Sequence, residues 1–116
     1  MIGRTEQEPP VVVLIDGGAE VRLSGTVRWR IKWSQVRRIA IGIEVNEELE
    51  YSEAFWQLEG DEAELFCPVD LVAGAEAFKA AMFAFQGFNR AEYMRAIKAE
   101  ADRRPGHFVC WQAASI

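Results

Sequence analysis

The chain has little of what usually carries chemistry. It holds one histidine, His107, and two cysteines, Cys67 and Cys110, in 116 residues. It has no Gly-rich loop to cradle a phosphate, no Ser-centred elbow and no paired carboxylates on one rigid element. No cofactor is therefore implied. Long apolar runs are missing too. The opening Met1 to Pro10 is polar, and Val11 to Ile15 is too short for the apolar core of a secretory signal. Nothing approaches the ~20 apolar residues of a spanning helix. The expectation is a soluble, cytoplasmic protein, not membrane-bound, with both thiols free because that compartment keeps them reduced. Positive charge is also scarce: 13 Lys and Arg against 18 Asp and Glu give a net charge of −5. That balance disfavours nucleic acid, whose binding rests on neutralising phosphates, and anionic membrane surfaces.

What is present is a core. Half of the residues are hydrophobic, with 7 Phe and 4 Trp, enough for a chain of this length to fold without metal or disulfide. The expected organisation is a disordered leader over 1–9, frayed or left from expression, and a single α+β domain over 10–116.

Strand signals come first. Val11 to Ile15 and Ala19 to Leu23 flank Asp16-Gly17-Gly18, whose glycines suit a tight hairpin. A Gly17-Gly18 loop pairs Leu14 with Val21. An Asp16-Gly17 loop shifts that register by two and keeps the faces. Residues 27–33 alternate strictly, with Val27, Trp29, Ile31 and Trp33 on one face and Arg28, Arg30 and Lys32 on the other. The run Val36 to Val45 places Ile39, Ile41, Ile43 and Val45 opposite Arg38, Ala40, Gly42 and Glu44. Asn46 to Glu53 reads as an acidic loop. A Gly60-Asp61 turn then predicts a hairpin pairing Phe55 with Phe66, Trp56 with Leu65 and Leu58 with Ala63, ended by Pro68.

Helix signals follow. Asp70 predicts a cap for a helix to about Gln86, with Leu71, Phe78, Met82 and Phe85 as its stripe and Gly87 as its C-terminal cap. Asn89 with Glu92, and Phe88 with Tyr93, predict a capped and stapled second helix whose stripe is Tyr93, Ile97 and Ala101. Arg103-Arg104 suit its negative end, and His107 to Gln112 forms a last strand. The fold class expected is α+β: one curved antiparallel sheet of five to seven strands, with a helical hairpin (about 70–86 and 90–104) packed on its apolar face. The core would hold Trp29, Trp33, Ile39, Ile41, Trp56, Phe78, Phe85 and Ile97.

Four constellations bear on function. Cys67-Pro-Val-Asp70 with His107-Phe-Val-Cys110 has zinc-like spacing, but residues three apart on a strand face opposite sides, so His107 and Cys110 could share an ion only across a bulge. No metal is expected. A Cys–His nucleophile would need His107 as base and a third group to orient it, and no signature supplies one. Arg28, Arg30, Lys32, Arg37 and Arg38 give five bases without an acid between 28 and 38, interleaved with Trp29 and Trp33. A stacking platform for single strands keeps aromatics and cations on one face; here they alternate. The reverse asymmetry is stronger. Nine acids and no base lie between Glu44 and Glu64. A solubilising edge explains them, and so does a docking surface for a basic partner, for which Glu44, Glu47, Glu48, Glu50 and Glu53 are the candidate residues.

The order of landmarks is also familiar: Ile31-Lys-Trp33, Val36-Arg-Arg-Ile39, Phe55-Trp56-Gln-Leu58, Phe66-Cys-Pro-Val-Asp70 with Gly74, Phe85-Gln-Gly-Phe88 and Phe108-Val-Cys-Trp111. Over about residues 27–111 this resembles a group of small bacterial domains with a short antiparallel sheet of PH-like character followed by C-terminal helices. Some of these resemble immunity proteins of toxin systems. The resemblance supplies no catalytic residues. The expected function is a non-enzymatic protein-interaction domain, inhibitor-like or immunity-like. The alternative is a small-molecule-binding or catalytic domain with a pocket between helices and sheet.

Overall fold

A computed structural model of the chain describes residues 9–114; the leader expected over 1–9 lies, but for Pro9, outside the described residues. Seven strands and two helices follow in the order β1 (Val11–Ile15), β2 (Gly18–Leu23), β3 (Thr26–Lys32), β4 (Val36–Asn46), β5 (Tyr51–Gly60), β6 (Glu64–Pro68), α1 (Ala75–Phe83), α2 (Arg90–Ala101) and β7 (Gly106–Gln112). The architecture is α+β and antiparallel, but the strands form two sheets rather than one: β1-β2-β3 and β6-β5-β4-β7. The break falls at a 3-10 turn over Trp33–Gln35. There Gln35 Oε1 accepts from the Lys32 N–H at 2.9 Å and the Trp33 N–H donates to the Gly17 carbonyl at 2.8 Å. The turn sends β4 into a second sheet instead of back along β3.

The first hairpin takes the Asp16-Gly17 loop, pairing Val12 with Val21 and Leu14 with Ala19. Gly17 supplies the left-handed backbone of that turn, at φ 74°. In the β5–β6 hairpin the predicted partners are displaced by two. Leu58 pairs with Leu65, Trp56 with Cys67 and Phe55 with Pro68, and the loop is Asp61-Glu62, closed by the Gly60 N–H to the Ala63 carbonyl at 2.8 Å. Gly60 therefore serves the strand, not the turn. A Cβ there would run into the Gln35 carbonyl where the 3-10 turn crosses. Because the shift is even, every side chain keeps its face. The acidic segment is shorter as a loop than expected, since Tyr51 to Glu53 already belong to β5.

Asp70 does not cap a helix. The Val69 N–H donates to the Ala54 carbonyl and the Val12 N–H to the Ala73 carbonyl, both at 3.0 Å, so the two sheets claim this segment before a helix can start. Leu71 (φ 67°) and Gly74 (φ 88°) are left-handed, and α1 begins only at Ala75. Leu71, expected in the stripe, is 94% exposed. The helix ends at Phe83, short of Gln86, and Gly87 (φ 90°) closes a separate turn. The second helix starts as expected: Asn89 Oδ1 accepts from the Glu92 N–H at 3.0 Å. Its buried face is Tyr93, Ala96 and Ala99, with Ala101 exposed. Two alanines on that face let the helix lie close against β4 and β7.

Both helices cover the face of the larger sheet that carries Ile39, Ile41, Trp56, Leu58, Leu65 and Cys67. Trp56 is the hub. It stacks on Tyr93 at 5.7 Å between ring centroids and meets Phe78 edge-on at 6.0 Å, though its buried indole N–H finds no acceptor among the described residues. Of the expected core, Ile39, Ile41, Trp56 and Phe78 are fully buried, whereas Trp29, Trp33, Phe85 and Ile97 are half-buried. The tryptophans line the rim because β3 passes the edge strand β6. Trp33 meets Phe78 and Phe85 on the helix side, while Trp29 meets Phe66 on the open side. Among the described residues no helix is long and apolar enough to cross a membrane.

Candidate partner-binding surface

Three of the five bases of the basic segment, Arg30, Arg37 and Arg38, are paired within the fold. Glu20, on β2 and directly opposite Arg30, is covered by two guanidinium groups rather than by core. It accepts from Arg22 Nε at 2.9 Å and Arg30 Nε at 2.7 Å, and these bonds, Arg22 first, hold its carboxyl below the usual range against the opposing effect of burial. Arg38 pairs with Glu59, and Arg37 reaches Asp61 at 3.5 Å.

Position along the β4-β5-β6 strands divides the nine acids, of which only Glu59 and Asp61 are in salt bridges among the described residues. Glu59, Asp61, Glu62 and Glu64 sit at the β5–β6 end beside the arginines. Glu44, Glu47, Glu48, Glu50 and Glu53 sit at the β4–β5 end; β5 has 10 residues, so its two ends are about 30 Å apart and Glu53 and Glu59, the nearest members along it, about 20 Å. At the second group Glu44 and Glu53 are directly opposed across the ladder, an arrangement of like charges that costs stability. The intervening turn is held by Asn46 Oδ1, which accepts from the Leu49 N–H at 2.9 Å. It presents Glu47, Glu48 and Glu50 to solvent around Leu49, which is 70% exposed.

Two further carboxylates join them that no sequence spacing connects to the stretch. Burial raises the Glu53 pKa, with Glu44 and Asp70 adding to it. Burial likewise raises that of Glu100, with Asp70 and Glu53 adding. Asp70, expected as a cap, is thus a member of the acidic surface, and Glu100 arrives from the C-terminal turn of α2, where the Ser52 hydroxyl donates to its carbonyl at 2.6 Å. Among the described residues none of these seven acids lies in a salt bridge.

A raised carboxyl pKa has a definite sign. The folded state holds the Glu53 proton more tightly than the unfolded chain, so this group's contribution falls as pH rises from about the ordinary carboxyl value of 4.5 through the folded pKa. Glu53→Gln should raise the thermal midpoint at pH 7 and leave it unchanged below about pH 4. Thermal melts across that range check this; a lower midpoint at pH 7 would contradict it.

Cys67 on β6 and Cys110 on β7 lie on opposite edge strands of the four-stranded sheet. The register between β4 and β7 shifts at Cys110, which is buried, while His107 is exposed. Burial pushes the thiols up to about 12 and about 11, which leaves almost no thiolate at neutral pH. Among the described residues no three of His, Cys, Asp or Glu are placed to hold an ion. Neither thiol should react with a disulfide reagent at pH 8 unless the chain is unfolded; fast stoichiometric labelling of the native protein would contradict this burial.

The interface between helices and sheet, where a ligand pocket was the alternative expectation, is filled by Trp56, Phe78, Met82 and Ala96, each 0% exposed. A recess of about 410 Å³ at its outer margin lies between α2 and β7, among Arg95, Lys98, Arg104 and Phe108. A more apolar groove opens on the other face of the sheet, where Phe55 and Phe66 meet Trp29. Comparison of the chain with protein-family models, with curated proteins and with solved structures found no match in any of the three.

Proposed function

We propose that the protein is a non-enzymatic interaction domain that docks a basic protein on the acidic end of its β4–β5 hairpin. The observation that carries this reading is the cluster of seven carboxylates that, among the described residues, lie in no salt bridge, two of them directly opposed. Such a cluster costs folding stability, and a cationic surface laid over it relieves that repulsion. Glu20, Glu59 and Asp61 all have arginine partners, so the chain can pair its acids where pairing serves the fold. Opposed charge chiefly accelerates encounter and sets orientation, which suits an inhibitor-like or immunity-like protein that covers the cationic site of an enzyme such as a nuclease.

The test is a pull-down from cell extract with the wild type and with the triple variant Glu47→Lys, Glu48→Lys, Glu50→Lys, at low and at raised salt. These three side chains are exposed at the turn, so the variant folds. A basic protein retained by the wild type and lost from the variant supports the proposal. An acidic partner, or one retained equally by both, overturns it.

A further inference from the structure

We infer that the groove on the open face of the larger sheet is an anchor pocket for an apolar side chain carried beside basic residues on the docking segment of a partner. The inference rests on the proposed basic partner and adds where, and by what second chemistry, it is held. Helices cover only one face of the β6-β5-β4-β7 sheet. On the other, Phe55 and Phe66 form a floor, and Trp29, meeting Phe66 edge-on at 5.5 Å between centroids, forms one wall together with Val21 and Leu23. The groove holds about 310 Å³, the bottom of the range for small-molecule sites. It therefore suits one or two side chains better than a cofactor.

Charge selects the occupant. Glu53 lies at the rim, two residues from Phe55 on the same face of β5, with Glu44 opposite and Asp70 close enough to raise its pKa. Glu53 thus belongs both to the groove and to the acidic surface, and joins the two. Its partial burial makes a pair formed there less screened than one at the exposed turn. Arg28 stands at the opposite rim with its guanidinium 5.4 Å from the Trp29 ring centroid. A bound segment is therefore oriented, with its base at the Glu53 end and its apolar side chain between Trp29, Phe55 and Phe66. An acidic or wholly polar segment lacks one of the two complementary halves.

Three peptides, acetylated and amidated, test this against the ¹⁵N-labelled protein: Lys-Lys-Leu-Phe-Lys, Lys-Lys-Ser-Ser-Lys and Glu-Glu-Leu-Phe-Glu. The first should shift the resonances of Trp29, Phe55 and Phe66 and bind at least tenfold more tightly than the other two. Glu53→Gln and Leu23→Asn, both at the groove margin and outside the buried core, should each weaken it severalfold. Equal binding of the Ser-Ser peptide would overturn the anchor pocket while leaving the acidic surface as a docking site. Equal binding of the glutamate peptide would overturn the charge selection, and binding of none would overturn the inference outright. The triple variant at Glu47, Glu48 and Glu50 separates the two ideas, because it should abolish capture of the basic protein yet leave the first peptide's resonance shifts at the groove in place.

Discussion

Phe78→Ala should lower the unfolding free energy by about 3–5 kcal/mol, the usual cost of emptying a fully buried aromatic site. Phe78 is 0% exposed on α1, between Trp56 at 6.0 Å and Trp33 at 6.4 Å. It links the helices, the larger sheet and the 3-10 turn that separates the sheets, so few neighbours can move in without breaking another contact. Trp33 is half-buried and can relax, which argues for the lower part of the range. Denaturant melts measure the loss directly; a value under about 1 kcal/mol, typical of surface changes, would mean that α1 does not pack where described.

Gly74→Ala should cost about 2 kcal/mol or more, against about 1 kcal/mol for Gly87→Ala. Both glycines are left-handed, at φ 88° and 90°, so backbone strain is common to both. They differ in surroundings. An added Cβ at Gly87 meets nothing within 4 Å, whereas at Gly74 it strikes the Val12 carbonyl. That contact sits beside the Val12 N–H bond to the Ala73 carbonyl, by which β1 is tied to the segment leading into α1. The difference between the two variants isolates the close approach. Equal losses would show that β1 does not lie against Ala73 and Gly74.

Much of the fold was legible because alternation reports a one-sided strand. Residues 39–45 kept their predicted faces, as did Trp29 and Ile31, opposite Val21 and Ala19, and Asn89 capped α2 where its spacing to Glu92 said it would; Val27 did not, because a bulge in the β2–β3 ladder sets it, exposed, opposite Arg22. Features set by backbone meeting backbone were not legible. The apolar phase of β3 and β4 is compatible with one sheet or two, and the choice was made by the hydrogen bonds of Trp33 and Gln35. The β5–β6 register slipped by two because Gly60 is needed under the Gln35 carbonyl, an event remote in sequence. Asp70 had good local credentials as a cap and lost to tertiary hydrogen bonds from Val69 and Val12.

The candidate site was half legible. Glu44, Glu47, Glu48, Glu50 and Glu53 stand out as a run of acids, but the run also contained Glu59 to Glu64, which the fold places at the other end of β5 beside arginines. Only the folded chain sorts paired from unpaired acids, and only it brings Asp70 and Glu100 to Glu53. The groove is equally a product of folding. Phe55 and Phe66 read as hairpin core, and they line an open face because both helices pack on the other side.

The most direct test is the association rate of the captured partner with the wild type and with the triple variant Glu47→Lys, Glu48→Lys, Glu50→Lys, measured by stopped flow at low and at physiological salt. Steering by the acidic surface predicts association at least tenfold slower for the variant at low salt, a gap that narrows as salt screens the field, and a dissociation rate that changes far less. Equal association rates for the two proteins at low salt would contradict the acidic end of the β4–β5 hairpin as the docking surface.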